Sequence, residues 1–250
     1  KSNTLTHLIV GASRGIGRNL VNQSIRAGHS VYALSRSEPN EPEDECSWIK
    51  GNASEPETFL DALPESIDAL TFCPGKVILG PIKRLKTEQM MEAYQTNVLD
   101  AFKLIQALLP RLNGSITFLS SVAARTGLPN HCAISAAKSG LEGFAVALAA
   151  DLAPKVRVNV VAPTLTATEM GLAMVGGDKM IPMIEARHPM KKIPQTEEIA
   201  GTLLFLHSQA AQSITGQIIK VDGGLSKLRI NQCVRVAGWV VRRGEEGGCG

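Results

Sequence analysis

Aromatic side chains make up only 4% of this 250-residue sequence, and just two of them are tyrosines, Tyr32 and Tyr94. Any chemistry that needs a phenol has only those two to draw on. The five cysteines (Cys46, Cys73, Cys132, Cys233 and Cys249) include no C-x-x-C pair and no metal-ligand spacing, and their odd number suits no disulfide framework. A reducing cytoplasm and no metal are therefore expected. No uninterrupted apolar run reaches the ~18 residues of a membrane span, and the start, KSNTLTHLIVGA, lacks the charged head, apolar middle and cleavage site of a secretory signal. Basic residues are scattered, and the formal charge is only +3, so there is no electrostatic footprint for nucleic acid. These absences describe a soluble protein whose partners are small molecules, with no membrane and no nucleic acid among them.

What is present is 44% hydrophobic and long enough for one substantial core. Short apolar runs alternate with helical periods: HLIVGA, then 16–27; HSVYALS; CSWIKG, then 56–63; IDALTFC, then 88–109; SITFLSS, then 133–152; VRVNVVA; and QIIKVDGG. Parallel strands need crossovers, and helices make them, so this alternation predicts an α/β protein: a single Rossmann-type, doubly wound parallel sheet with helices on both faces. Gly28 in AGHS reads as a left-handed cap closing the first helix. Met91, Tyr94, Val98, Phe102 and Ile105 fall on one stripe of the long helix.

Residues 1–228 read as the dinucleotide-binding domain and 229–250 as a tail. VRVAGWVV in the tail suits an edge strand or an association surface, while its glycine-rich end suits disorder or a non-native extension. SEPNEPEDE, Ser37 to Glu45, is acidic with two prolines and reads as a solvated loop.

The first strand runs into GASRGIG, Gly11 to Gly17, and then into a helix. Glycines allow a tight turn and close backbone approach, and a helix N-terminus presents free N–H groups to a phosphate. After the second strand, where a NAD site would carry an acidic residue, stand Ser35 and Arg36. With Arg14, Arg36 suits a 2′-phosphate, which predicts NADP (NADPH) over NAD.

In these motifs the sequence resembles the short-chain dehydrogenase/reductase family over about Thr6 to Ser226. GASRGIG has the family's G-x-x-x-G-x-G spacing. The family's catalytic set is an asparagine in the long helix, a serine after the fifth strand, and Tyr-x-x-x-Lys on the next helix. Asn97 in YQTNV, Ser121 in FLSSVAA and Lys138 in ISAAKSG match three of these. The tyrosine's place is held by Ile134. The resemblance implies cofactor contacts by Gly11, Ser13, Arg14, Gly15, Ile16 and Gly17, by Ser35 and Arg36, and by Asn52 and Ala53. It extends them to Gly75, Asn97 and Lys138, and to Pro163, Leu165 and Thr168. Lys138 would bond the nicotinamide ribose and lower the pKa of the tyrosine that is missing here. Departures from the pattern are TFCPG for the usual N-N-A-G and Pro163–Thr164 for P-G.

Isoleucine has no ionisable hydrogen, so Ile134 cannot supply the proton a developing alkoxide needs, though Ser121 can still donate a hydrogen bond. Tyr32 and Tyr94 are placed elsewhere. His131, three residues before Ile134, is a candidate acid on the same helical face, although a polar residue at a helix start is the preferred reading. Cys132 and Ser135 are weaker candidates. Three functions stay open: an NADP-dependent oxidoreductase acting on a carbonyl or alcohol; a dinucleotide-binding regulatory or partner subunit without turnover; and a non-redox enzyme using Ser121 and Lys138. Residues 169–194, rich in methionine and small side chains, read as an apolar, mobile lid. The family pairs its long helices between subunits, and Ala133, Ala136, Ala137, Gly140, Gly143 and Ala147 allow close approach here, which implies a homotetramer or homodimer.

Overall fold

In the computed structural model the chain is described over residues 4–37, 42–175, 180–229, 233–236 and 239–242. Seven strands, β1 (Thr6–Val10), β2 (Ser30–Ser35), β3 (Cys46–Lys50), β4 (Ile67–Phe72), β5 (Leu112–Leu119), β6 (Arg157–Pro163) and β7 (Ile218–Val221), form one sheet in the order β3-β2-β1-β4-β5-β6-β7. Every pairing is parallel. The inner strands read as near-continuous apolar runs because both faces of the sheet are covered. Alternation sends Leu8, Leu70 and Phe118 into one core with Leu104 and Leu141. Ile9, Ala33 and Val161 enter a second core with Leu20, Val21 and Leu203.

Helices α1 (Gly15–Arg26) and α7 (Thr196–His207) close the second core, and α3 (Asp100–Leu108) and α4 (Cys132–Leu152) close the first; α2 (Thr87–Tyr94) packs on α4 through Ala93, which meets Ala133 and Ala137, and the short α5 (Glu169–Met174) and α6 (Ile181–Glu185) precede α7. Gly28 has φ +78°, and the bonds from Gly28 N to Ile25 O (2.8 Å) and from His29 N to Ser24 O (3.1 Å) make the expected left-handed cap. By length and composition α4 passes for a membrane span. It packs against the sheet and buries Lys138 and Glu142, so its apolar face is core.

Three expectations are corrected, and one left open is narrowed. Residues 56–63 form two 3₁₀ turns, Pro56–Thr58 and Leu60–Ala62, because Phe59 (φ −139°) interrupts the helical path. The long helix is broken by a π-helical turn at Gln95–Leu99. Of its stripe, Val98 and Ile105 are buried, whereas Met91, Tyr94 and Phe102 are 66%, 42% and 44% exposed, since the stripe turns off the core along its length. In the tail, Cys233–Val236 (β8) and Trp239–Arg242 (β9) pair with each other antiparallel as a separate two-stranded sheet and do not extend the main sheet. The rest of the tail, 230–232, 237–238 and 243–250, lies outside the described residues, as do 38–41 of the acidic loop and 176–179 of the methionine-rich segment. Glu43, from the described end of that loop, is ion-paired to Arg18 of α1 at 2.6 Å.

A polar cluster is buried on the α1/α7 face of the sheet. His7 on β1 meets Ser24 of α1 through Nδ1 and Thr71 of β4 through Nε2, each at 3.0 Å. His207 of α7 meets Ser115 through Nδ1 (2.6 Å), and Thr71 and Thr117 through Nε2 (2.8 and 3.0 Å). The two imidazoles are 4.7 Å apart, edge to face. Burial drives His7 down to about 3 and His207 well below the ordinary histidine value, so both are neutral at pH 7.

Candidate active site

At the carboxyl ends of the strands the βα connections enclose a cavity of about 1110 Å³. Every residue that the sequence assigns to catalysis or cofactor contact lines it, as do Ile134 and His131.

The glycine turn follows β1 directly. Gly11 and Gly15 have φ of +79° and +56°, and a Cβ on Gly17 would lie 2.2 Å from Gly11 O, so the turn is tight enough to require glycine. Arg14, the N-cap of α1, makes no side-chain capping bond, and the first turn carries no acidic residue. The N–H groups of Gly15, Ile16 and Gly17 thus meet the cavity at the positive end of a 12-residue helix. Arg14 and Arg36 are exposed at its edge. Ser35 is buried and donates through Oγ to Ser37 O (2.6 Å), which leaves Arg36 as the charged group of that corner. Beyond β3, Asn52 accepts from Ser54 N (3.4 Å) and Ala53 is 7% exposed.

Cys73, Pro74 and Gly75 leave β4 along the cavity floor. A Cβ on Gly75 would fall 2.9 Å from Asn97 Oδ1 and 3.2 Å from Lys138 Nζ, so these two atoms converge there. The π-helical turn turns Asn97 inward; its Nδ2 donates to Ala93 O (2.8 Å) and Lys76 O (3.1 Å), while its buried Oδ1 has no partner. Lys138 is 5% exposed and donates to Leu119 O at 2.6 Å. Burial pulls its ammonium down to about 8, although Cys73 and Glu142 pull the other way. The Cys73 thiol is pushed up to about 12 by burial, so Lys138 faces a neutral thiol at pH 7.

Ser121, just past β5, caps the 3₁₀ turn Val122–Ala124; its Oγ accepts from Ala123 N (3.2 Å) and keeps its own hydrogen to donate. Its neighbour Ser120 donates to Glu142 Oε1 (2.9 Å), and Arg125 Nε donates to Oε2 (2.8 Å). Ile134 is 2% exposed, one turn before Lys138, and presents hydrocarbon where the resemblance places a phenol. His131 is the N-cap of α4 and Nδ1 meets Pro129 O at 2.6 Å, in keeping with a helix-start role even though the ring lines the cavity.

Past β6, Thr168 caps α5 (Glu169–Met174), accepting from Gly171 N (2.9 Å), and its methyl packs 3.4 Å from a Cβ position on Gly15. Pro163 and Leu165 complete this wall. Sequence reasoning missed Glu142, visible only as a carboxylate four residues after Lys138 on α4. It also missed Thr164–His188: Thr164 Oγ1 meets His188 Nε2 at 3.1 Å and His188 Nδ1 meets Ile184 O at 2.9 Å, which pins the methionine-rich segment by a buried histidine. The uncapped α1 terminus, the two edge arginines and the orphaned Asn97 Oδ1 fit a dinucleotide along this floor. Among the described residues no cluster of histidine, cysteine and carboxylate side chains is arranged to hold a metal.

Comparison with known proteins agrees with this geometry. A family profile described as Enoyl-(Acyl carrier protein) reductase matches residues 11–226. The 3-oxoacyl-[acyl-carrier-protein] reductase of Staphylococcus aureus is 30% identical over 243 residues, covering 89% of this chain and 98% of its own. The Carbonyl reductase [NADPH] 2 of Sus scrofa is 28% identical over 234 residues, 88% of this chain and 96% of its own. Among solved structures, a short chain dehydrogenase family protein of Francisella tularensis superposes with TM-score 0.83 at 25% identity, covering 90% of this chain and 100% of its own. The aldohexose dehydrogenase of Thermoplasma acidophilum gives 0.84 at 27%, covering 92% and 97%.

Proposed function

Because this chain belongs to the short-chain dehydrogenase/reductase family of oxidoreductases, we propose that it is an NADP-dependent member acting on a carbonyl or alcohol with Ile134 in the tyrosine's place. The observation that carries the reading is the convergence of Asn97 Oδ1 and Lys138 Nζ on Gly75, at the floor of a cavity that begins at the glycine turn. The α1 terminus, Arg14 and Arg36 hold the phosphates; Asn52 and Ala53 flank the adenine; Lys138, Asn97 and Thr168 hold the nicotinamide end. A bound nicotinamide dinucleotide supplies the hydride acceptor or donor. Ser121 donates to the substrate oxygen and stabilises its developing charge. Lys138 keeps a positive charge in the same cavity at neutral pH. With hydrocarbon at position 134 no side chain there delivers the proton, which slows carbonyl reduction by ~10²–10⁴-fold relative to a site with a positioned acid.

The same Ile134, 2% exposed and without a polar atom, favours a second reading, a dinucleotide-binding partner subunit without turnover. One experiment separates them: titrate NADPH and NADH, then follow nicotinamide absorbance with panels of carbonyls and alcohols. Turnover supports the oxidoreductase; tight NADPH binding with no turnover on any substrate selects the partner subunit. The exposed apolar side chains Met91, Tyr94 and Phe102, together with the exposed Val146 of α4, support association of two copies through these helices.

A further inference from the structure

Past Ile134 the cavity is walled by hydrocarbon and thioether. Leu128 and Ile134 stand on the α4 side, Val77 and Leu79 on the connection from β4 to α2, and Met170 and Met174 on α5. Leu79, Met170 and Met174 remain 39%, 41% and 41% exposed, so apolar surface lines a concave wall that the described residues leave uncovered. Of the polar groups that share this lining, Thr164 and His188 bond each other, Thr166 donates to Thr164 O (3.1 Å), Thr126 is half-buried, and Glu169 and Arg187 are exposed, so their charges stay in water. Ser121 and His131 are left at the end next to Ile134. A compound with a hydroxyl on each carbon would bury donors and acceptors against carbon and sulfur, where nothing replaces their water. A hydrocarbon chain loses no hydrogen bonds there, and unbranched methionines adapt to its length.

We propose that this half of the cavity takes the hydrocarbon chain of a neutral carbonyl or alcohol, with the oxygen-bearing carbon at Ser121, and excludes polyhydroxylated compounds. The proposal rests on the oxidoreductase reading above for the placement of the oxygen. Its test is calorimetry of a series of 2-alkanols from four to ten carbons, with and without saturating NADP, beside glucose and gluconate. Affinity is expected to rise about fourfold for each methylene buried, and glucose and gluconate to show no binding. Leu79→Glu and Met174→Glu, both at exposed positions where the fold tolerates charge, should flatten the chain-length dependence while leaving NADP affinity unchanged. Affinity independent of chain length, or tighter binding of either sugar compound, overturns the proposal. Chain-length dependence in a protein that fails to bind NADP leaves the apolar site standing and removes the oxidoreductase reading instead.

Discussion

Asn97 and Lys138 meet across Gly75, at a point 2.9 Å from one side-chain oxygen and 3.2 Å from the other's ammonium. The absence of a side chain at position 75 is what leaves that point open. Gly75→Ala would put a methyl group there and push both polar groups aside. NADPH affinity should fall at least tenfold with the thermal unfolding midpoint little changed, measured by fluorescence titration and calorimetry. Unchanged affinity would show that the cofactor does not use this floor.

Replacing Ile134 with tyrosine should raise NADPH-dependent carbonyl reduction by up to ~10²–10⁴-fold, because Asn97, Ser121 and Lys138 line the same cavity in the family's register. The control is the same variant with Lys138→Ala, which should lose the gain. A parent that is active and loses turnover on His131→Ala would identify the histidine as the acid instead.

Arg14→Ala and Arg36→Ala should each weaken NADPH binding by about tenfold or more, as expected for one charge-assisted hydrogen bond. NADH affinity should hardly move. Equal losses for both cofactors would assign the arginines to the shared pyrophosphate rather than to the 2′-phosphate.

Acid should destabilise the protein through His7 and His207. Both have folded pKa values depressed by burial, His7 to about 3 from 6.5, so the unfolded chain binds protons that the folded one refuses. Their contribution is full above about pH 6.5 and declines as pH falls toward 3. His29 and Arg157 add positive charge that further disfavours protonation. Urea unfolding between pH 7.5 and 4.5 should show this loss, and His7→Gln should reduce its slope even if the variant is less stable overall. Equal slopes would assign the acid sensitivity to the carboxylates.

Phe102→Glu, at a 44% exposed position, should shift a dimer or tetramer toward monomer in light scattering. A wild-type monomer at micromolar concentration would remove the association face.

The sheet was legible because parallel strands covered on both faces have to be apolar throughout, and HLIV, SVYALS and VRVNVVA are nearly so. The glycine turn was legible because its spacing serves one geometry. Asn97, Ser121 and Lys138 came from resemblance, and what holds them could not be read: the π-helical turn depends on how α2 meets α4, where a Cβ on Gly140 would lie 2.9 Å from the Tyr94 ring. The histidine cluster escaped notice because its members, from His7 to His207, are far apart in sequence and each looks like an isolated polar residue in an apolar run. The pairing of β8 with β9 could not be read because alternation in VRVAGWVV identifies a strand but not its partner.

All seven strands of the main sheet run the same way, so the cavity is built at one rim, where Gly11, Arg36, Gly75, Ser121 and Thr164 each follow within three residues of a strand's end. The opposite rim holds the returns from helix to strand, such as Ala27–His29 between α1 and β2, and among the described residues these returns do not line the cavity. A Cβ on Gly28 would have no neighbour within 4 Å. That return is a handle: a fluorophore, an affinity tag or a surface tether placed there, with the glycine kept for its left-handed backbone, would leave the cavity facing free solution.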